Sequence, residues 1–136
     1  MGDPLLAAHD LSYRYTAAGP RWVLQRLRLH VEPGEYVLIC GASGAGKSTL
    51  ARTFNGLIPH FHGGSMEGQV TVAGLDTRAH PVDELFAYVG AVFQNAEAQL
   101  FTSTVERELA FGLESLGLPR AEIQHRVAES AALAGI

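Results

Sequence analysis

Gly41-Ala42-Ser43-Gly44-Ala45-Gly46-Lys47-Ser48-Thr49 is the stretch on which the fold turns. It fits the phosphate-loop pattern G-x-x-x-x-G-K-[ST]. The apolar run Tyr36-Val37-Leu38-Ile39-Cys40 precedes it, and Leu50-Ala51-Arg52-Thr53-Phe54 continues it as a helix. Glycines at 41, 44 and 46 let successive backbone N–H groups curl around an anion at contact distance. A helix starting at Gly46 or Lys47 aims its unpaired first-turn amides and the positive end of its dipole at the same point. Lys47 adds a full charge. At about 4 Å and an effective dielectric near 20, that charge attracts a phosphate by on the order of 4 kcal/mol before desolvation. Ser48 offers a hydroxyl for Mg2+ and Thr49 one for a phosphate oxygen. Lys47 is the only lysine in the sequence, so the motif is not a by-product of lysine-rich composition.

Outward from the loop, the bulk numbers set bounds. A length of 136 residues suits one domain, and 47% hydrophobic with 18% charged residues reads as globular. The formal charge of −4 repels a nucleotide only weakly across a screened distance, so the local field of the loop dominates. A pI near 5.8 without a basic cluster argues against nucleic acid or lipid headgroups as partners. No apolar run reaches 18 residues and no charged-then-apolar leader opens the chain, so neither direct membrane insertion nor a secretory signal is expected. The single Cys40 excludes an internal disulfide, suits a reducing setting, and is expected as a small buried residue.

Before the loop, Leu11, Tyr13 and Tyr15, then Val23, Leu24, Leu27, Leu29 and Val31, alternate about Thr16-Ala17-Ala18-Gly19-Pro20 and predict two antiparallel strands. Tyr36 to Cys40 reads as a strand buried on both faces, and Tyr88-Val89-Gly90-Ala91-Val92-Phe93 as a second. Between them, the helix after the loop should end near Gly56, residues 58–65 form a loop, and Gln69 to Ala73 makes a half-exposed strand. Asp76 is then a turn residue, and Pro81 to Phe86 makes a short helix. Beyond the polar loop 94–99, a helix starts at Ser103, as a capping box with Glu106, or at Thr104, and stops at Gly117. A last helix opens at Pro119 with Ile123, Val127, Ala131 and Ala134 on one face.

Gln94 follows the second apolar run, where open α/β sheets place ligand-contacting groups, and its amide suits a Mg2+ shell or a held water. Tyr15 could stack on a purine base or serve as a half-buried strand aromatic. His60 and His62 make an incomplete metal site. Glu106, Glu108 and Glu114 read as a solvated helix face, and Leu100 with Phe101 as either a partner-facing patch or a core anchor. Hydrolysis also needs an apolar strand ending in a metal-holding Asp and a carboxylate to position water, and no such strand is present.

Tyr13-Arg14-Tyr15, the loop 41–49 and Val92-Phe93-Gln94-Asn95 resemble the nucleotide-binding domain of ATP-binding cassette (ABC) transporters. Phe54-Asn55-Gly56-Leu57-Ile58-Pro59, the run from Gln94 through Gln99-Leu100-Phe101, and Thr104 to Gly112 narrow the likeness to the ATPase subunit of energy-coupling factor importers of metal ions and vitamins. The resemblance implies an α/β phosphate-loop core with an antiparallel β subdomain, cut at the start of a helical subdomain. Residues 1–33 and 66–76 would form the β subdomain, 35–57 and 82–95 the core, and 103–136 the beginning of the helical part. It implies that Tyr15 stacks on adenine, and that Gly41, Ser43, Gly44, Ala45, Gly46, Lys47, Ser48 and Thr49 hold the phosphates. Ser48 and Gln94 would hold Mg2+, and Lys47 and Gln94 would take part in catalysis.

The implied partners are ATP, a second ATPase subunit and a transmembrane subunit docking at the loop after Gln94, with the protein peripheral on the cytoplasmic face of the membrane. The family's Leu-Ser-Gly-Gly-Gln signature, catalytic Glu and switch His are absent from these 136 residues. The expectation is therefore a chain that binds ATP·Mg2+ without turning it over. A phosphate-loop kinase or a non-hydrolytic nucleotide-binding module is the alternative.

Overall fold

Strand β1 (Leu6–Tyr15) is the spine of the first of two structural units. The computed structural model describes residues 4–136. One unit runs to Ala91 and the other from Val92 to Ile136. In the first, β1 pairs antiparallel with β2 (Leu24–Val31) on one side and β3 (Gly64–Val72) on the other; β3 pairs with the two-residue β4 (Leu75–Asp76), giving the order β2-β1-β3-β4. The hairpin expected from the alternation of Leu11 to Val31 is present. β3 begins five residues before the strand expected at Gln69.

A bulge at His9–Asp10 sets which side chains β1 buries. Between Ala8 and Leu11 in the ladder with β2, and between His9 and Ser12 in the ladder with β3, β1 carries one extra residue, and Asp10 takes φ 49°. The extra residue changes the phase of the strand, so Leu6, Ala8, Leu11, Tyr13 and Tyr15 all face the core. Gly68 sits opposite: a Cβ there would lie 2.4 Å from both the His9 and Asp10 carbonyl oxygens, so only glycine fits.

Helix α1 (Lys47–Phe54) follows the loop and closes the core. Thr49, Leu50, Thr53 and Phe54 are its buried face, at the spacing of one helical stripe. Leu50 and Phe54 join Leu11, Tyr13, Leu24, Val70 and Val72 in one cluster. Asn55 ends the helix and Gly56 turns the chain at φ +77° into the short α2 (Leu57–His60), within the segment expected as loop, whose Ile58 is fully buried. Asp76, expected as a turn residue, is the last residue of β4, paired with Thr71, and the turn begins after it, its carboxylate accepting the Arg78 N–H and a Gln69 amide hydrogen. The short helix α3 (Val82–Leu85) buries Leu85.

The two strands expected to be buried on both faces are a correction. Neither Tyr36–Cys40 nor Tyr88–Phe93 belongs to a sheet, and Tyr36 and Leu38 are 91% and 74% exposed. Cys40, expected buried, is exposed. A strand covered on both faces is held by ladder partners and by layers packed over it. Among the described residues no strand lies beside either run, so apolar composition alone does not order them as strands.

In the second unit, a short 3-10 turn (Glu97–Gln99) precedes α4 (Val105–Ser115) and α5 (Arg120–Ala134), which pack together. Of the two expected caps for α4, Thr104 is used: its Oγ1 accepts the Arg107 N–H at 3.3 Å. Pro119 caps α5 from one residue outside it, and Gly135 ends it at φ +73°. Ile123, Val127 and Ala131 form the half-buried face of α5, and Ala134 stays exposed.

Candidate functional site

The loop 41–46 runs from a segment without strand pairing into α1 and is fixed at both ends. Ala45 N–H closes a turn on the Ala42 carbonyl at 3.2 Å, and Leu50 N–H bonds the Gly46 carbonyl at 2.9 Å. Gly46 is the N-cap of α1 at φ +96°, where a Cβ would come 3.0 Å from Leu24 Cδ2 and 3.1 Å from the Val23 carbonyl oxygen. This glycine therefore lets the loop lie against the start of β2. No side chain caps α1 and no acidic residue sits in its first turn. Its first amides and dipole thus face outward without an internal counter-charge, the arrangement that attracts an anion.

Lys47 turns back over the loop. Its Nζ donates to the carbonyls of Gly41 at 2.7 Å and Ala42 at 2.8 Å, holding the ammonium across the mouth of the turn. Ser43, Gly44 and Ala45 are exposed at the tip, and Ser48 is exposed on the first turn of α1. Thr49 is buried, and its hydroxyl shares a 3.1 Å hydrogen bond with the Tyr15 hydroxyl. Tyr15, at the end of β1, is half-buried beside Tyr13, ring centroids 4.8 Å apart edge to face, and beside His62 at 6.3 Å. Tyr13 is fully buried and donates its hydroxyl to the Gly63 carbonyl at 3.1 Å; burial holds that phenol above its ordinary pKa.

Such a site fits a nucleoside triphosphate with Mg2+. The positive φ of Gly44 and Gly46, the uncapped α1 and the ammonium over the turn supply an anion cradle. The exposed Ser48 hydroxyl could serve a cation whose other ligands are phosphate oxygens and water, as suits Mg2+. Among the described residues no cluster of three His, Cys, Asp or Glu could hold a metal by itself.

Tyr15 and the residues 41–49 are thus brought together in one unit. Gln94 lies in the other, exposed in a bend between Phe93 and Asn95. There the loop is knit by its own amides: Phe93 N–H donates to Gln99 Oε1 at 3.1 Å and Ala98 N–H to Asn95 Oδ1 at 3.3 Å. Leu100 and Phe101 are exposed, and the Phe101 ring stacks on Phe111 at 5.5 Å. His60 and His62 do not act as a pair, because His60 Nε2 bonds the Thr77 carbonyl at 2.8 Å while His62 lies beside Tyr15.

Sequence reasoning missed two residues. Arg52 donates from Nη1 to the Tyr15 hydroxyl at 3.3 Å; its place three residues after Thr49, on the same helix face, was the available signal. Glu108, read as part of a solvated face, instead ties the loop to α4. It accepts Thr102 N–H at 2.8 Å, Thr102 Oγ1–H at 2.9 Å and Phe101 N–H at 3.1 Å. The backbone bond from Thr102 is the main reason its carboxyl titrates below the usual glutamate range.

Residues 24–136 match the model of the family described as ABC transporter. A provisionally named ABC transporter ATP-binding protein of Methanosarcina mazei is 48% identical over 128 residues, 94% of this chain and 22% of that protein. Another, from Pyrococcus horikoshii, is 46% identical over 90% of this chain and 43% of its own length. The chain therefore spans less than half the length of these curated relatives. Among solved structures, cbiO1 from Clostridium perfringens, part of the ABC transporter complex cbiONQ, is similar over 99% of this chain and 52% of its own. Its TM-score is 0.81 at 29% identity. A bacterial Atm1-family ABC exporter solved with ATP bound is similar over 82% of this chain and 18% of its own, with a TM-score of 0.64 at 31% identity. The phosphate loop, the α/β architecture and these likenesses agree, and the chain belongs to the ABC transporter family, as part of an ATP-binding domain.

Proposed function

We propose that the chain binds ATP·Mg2+ at residues 41–49 and, in the intact protein, belongs to the ATPase of an energy-coupling factor type importer of a metal ion or vitamin. The observation that carries the reading is the uncapped start of α1 with the Lys47 ammonium held over the Gly41 and Ala42 carbonyls. In this reading the amides from Ser43 to Thr49 bind and orient the phosphates, and Lys47 exchanges its carbonyl partners for phosphate oxygens. Ser48 and Gln94 are the residues that would each offer an oxygen to Mg2+, and Tyr15 would stack on the base. Bound ATP supplies the phosphoanhydride whose cleavage drives transport.

The importer type rests on the likeness to cbiO1, itself part of cbiONQ. A second ATPase subunit and a transmembrane subunit meeting the loop after Gln94 follow from the same reading, as does a place on the cytoplasmic face of the membrane. Among the described residues no helix is long and apolar enough to cross a membrane. Residues 1–33 and 66–76 act as the β subdomain, 35–57 and 82–95 as the core and 103–136 as the start of the helical part. Because these residues contain neither the signature nor a catalytic Glu, the chain binds without turnover. Membership of the family weighs against the kinase alternative.

Calorimetric titration of ATP with and without Mg2+ against the chain and a Lys47→Ala variant, beside a phosphate-release assay, tests this. Binding strengthened by Mg2+, weakened at least tenfold in Lys47→Ala and unaccompanied by release is expected. Equal affinity of the two chains would refute the site, and release by the 136 residues would refute the absence of turnover.

A further inference from the structure

The half-buried Tyr15 ring is held by two aromatic neighbours and by its hydroxyl. Tyr13 and His62 lie perpendicular to it, each at an interplanar angle of 86°, and its hydroxyl meets two residues of α1, Thr49 at 3.1 Å and Arg52 at 3.3 Å. A guanidinium only donates, so Arg52 occupies a lone pair of the phenol oxygen. Either hydroxyl can donate in the bond between Tyr15 and Thr49, and where the phenol gives its proton to Thr49, the threonine's own proton is left to donate elsewhere. Successive bonds of this kind polarise one another in the same sense. Thr49 directly follows Ser48 and lies two residues from Lys47, so the tether joins Tyr15 to the turn of helix that bounds the anion cradle.

We propose that Arg52, acting through the Tyr15 hydroxyl and Thr49, is a positioning residue that fixes the plane and distance of the Tyr15 ring relative to the phosphate loop. It thereby sets how strongly the base contributes to nucleotide affinity. The inference rests on the reading of Tyr15 as the base-stacking residue. An untethered tyrosine turns about two side-chain torsions and must be ordered when the base arrives. A tethered one is ordered beforehand, and the base meets a surface already set at the right distance.

The test compares Mg2+·ATP with Mg2+·tripolyphosphate, which lacks base and sugar, on the full chain at constant salt, in the wild type, Tyr15→Phe, Arg52→Ala, the double variant and Tyr15→Ala. Tyr15→Phe keeps the ring and changes no charge. Taking the ratio of the two affinities removes any effect of Arg52 on the phosphates alone. The ratio of ATP to tripolyphosphate affinity should fall about 2- to 12-fold in Tyr15→Phe and in Arg52→Ala, the net range of one typical intramolecular hydrogen bond. It should fall no further in the double variant, since both changes break one link. Arg52→Lys should recover part of the loss.

An unchanged ratio in Tyr15→Phe and Arg52→Ala with a lowered ratio in Tyr15→Ala would overturn the tether and leave base stacking standing. An unchanged ratio in Tyr15→Ala would overturn the stacking reading and the tether with it. Equal loss of both ligands in Arg52→Ala would show that the guanidinium serves the phosphates, which also overturns the proposal.

Discussion

Replacing Gly46 by alanine tests how closely the phosphate loop is fitted to the sheet. The residue sits at φ +96°, where an L side chain costs about 1–2 kcal/mol in backbone energy alone. The added Cβ would also stand 3.0 Å from Leu24 Cδ2, 3.1 Å from the Val23 carbonyl oxygen and 3.3 Å from Val23 Cγ1. Leu24 is a core residue, 5% exposed, and the Val23 backbone is held by its N–H bond to the Tyr13 carbonyl at 2.8 Å, so neither neighbour retreats freely. Crowding of this kind adds about 1–3 kcal/mol. The sum, about 2–5 kcal/mol, is a large share of the 5–15 kcal/mol typical of a domain.

Gly44 is the internal control. It has φ +80° but open space around the position of a Cβ, so Gly44→Ala should cost only the backbone part, about 1–2 kcal/mol. Urea unfolding followed by circular dichroism and by Trp22, the single tryptophan, gives both values from one transition. If Gly46→Ala lies within about 0.5 kcal/mol of Gly44→Ala, the close approach of the loop to Val23 and Leu24 does not constrain it and the reasoning fails.

Two further outcomes concern the second unit. Thr104→Ala should reduce amide protection in the first turn of α4 by about 0.5–2 kcal/mol, while Ser103→Ala should leave it unchanged, because only Thr104 accepts the Arg107 N–H. Glu108 titrates below its ordinary value. Its contribution is therefore fully present above the usual glutamate range and is lost as pH falls through the lowered value. Hydrogen exchange at Phe101 and Thr102 should accelerate across that acid window in the wild type and be fast at all pH values in Glu108→Ala.

What could be read from sequence followed how local the physics is. The loop 41–49, the start of α1 and the turn after Asp76 are decided within a few residues by glycines, a helix terminus and a side chain bonding its neighbours, and all are found in the structure. The hairpin of β1 and β2 was legible because alternation survives in the sequence. Its two bulges were not, because the phase changes at Asp10 and Arg26 exist only relative to a partner strand. Tyr36–Cys40 shows the opposite failure: the composition suits a buried strand, but strand formation needs neighbours that composition cannot supply. Glu108 and Arg52 were missed for a related reason. Each acts on a segment brought to it by folding, the one on a loop that turns back, the other on the end of a distant strand.

The bulge of β1 makes the strand read in two frames. Upstream of His9 the core takes even-numbered residues, Leu6 and Ala8; downstream it takes odd-numbered ones, Leu11, Tyr13 and Tyr15. Loss of the extra residue would return β1 to plain alternation with Leu11, Tyr13 and Tyr15 still in phase with Leu6 and Ala8, whereas loss of one residue between Leu11 and Tyr13 would turn Tyr13 and Tyr15 together out of the core. The strand thus tolerates a missing codon at its bulge, while the same loss a few residues later would part Tyr15 from Thr49 and Arg52 of α1.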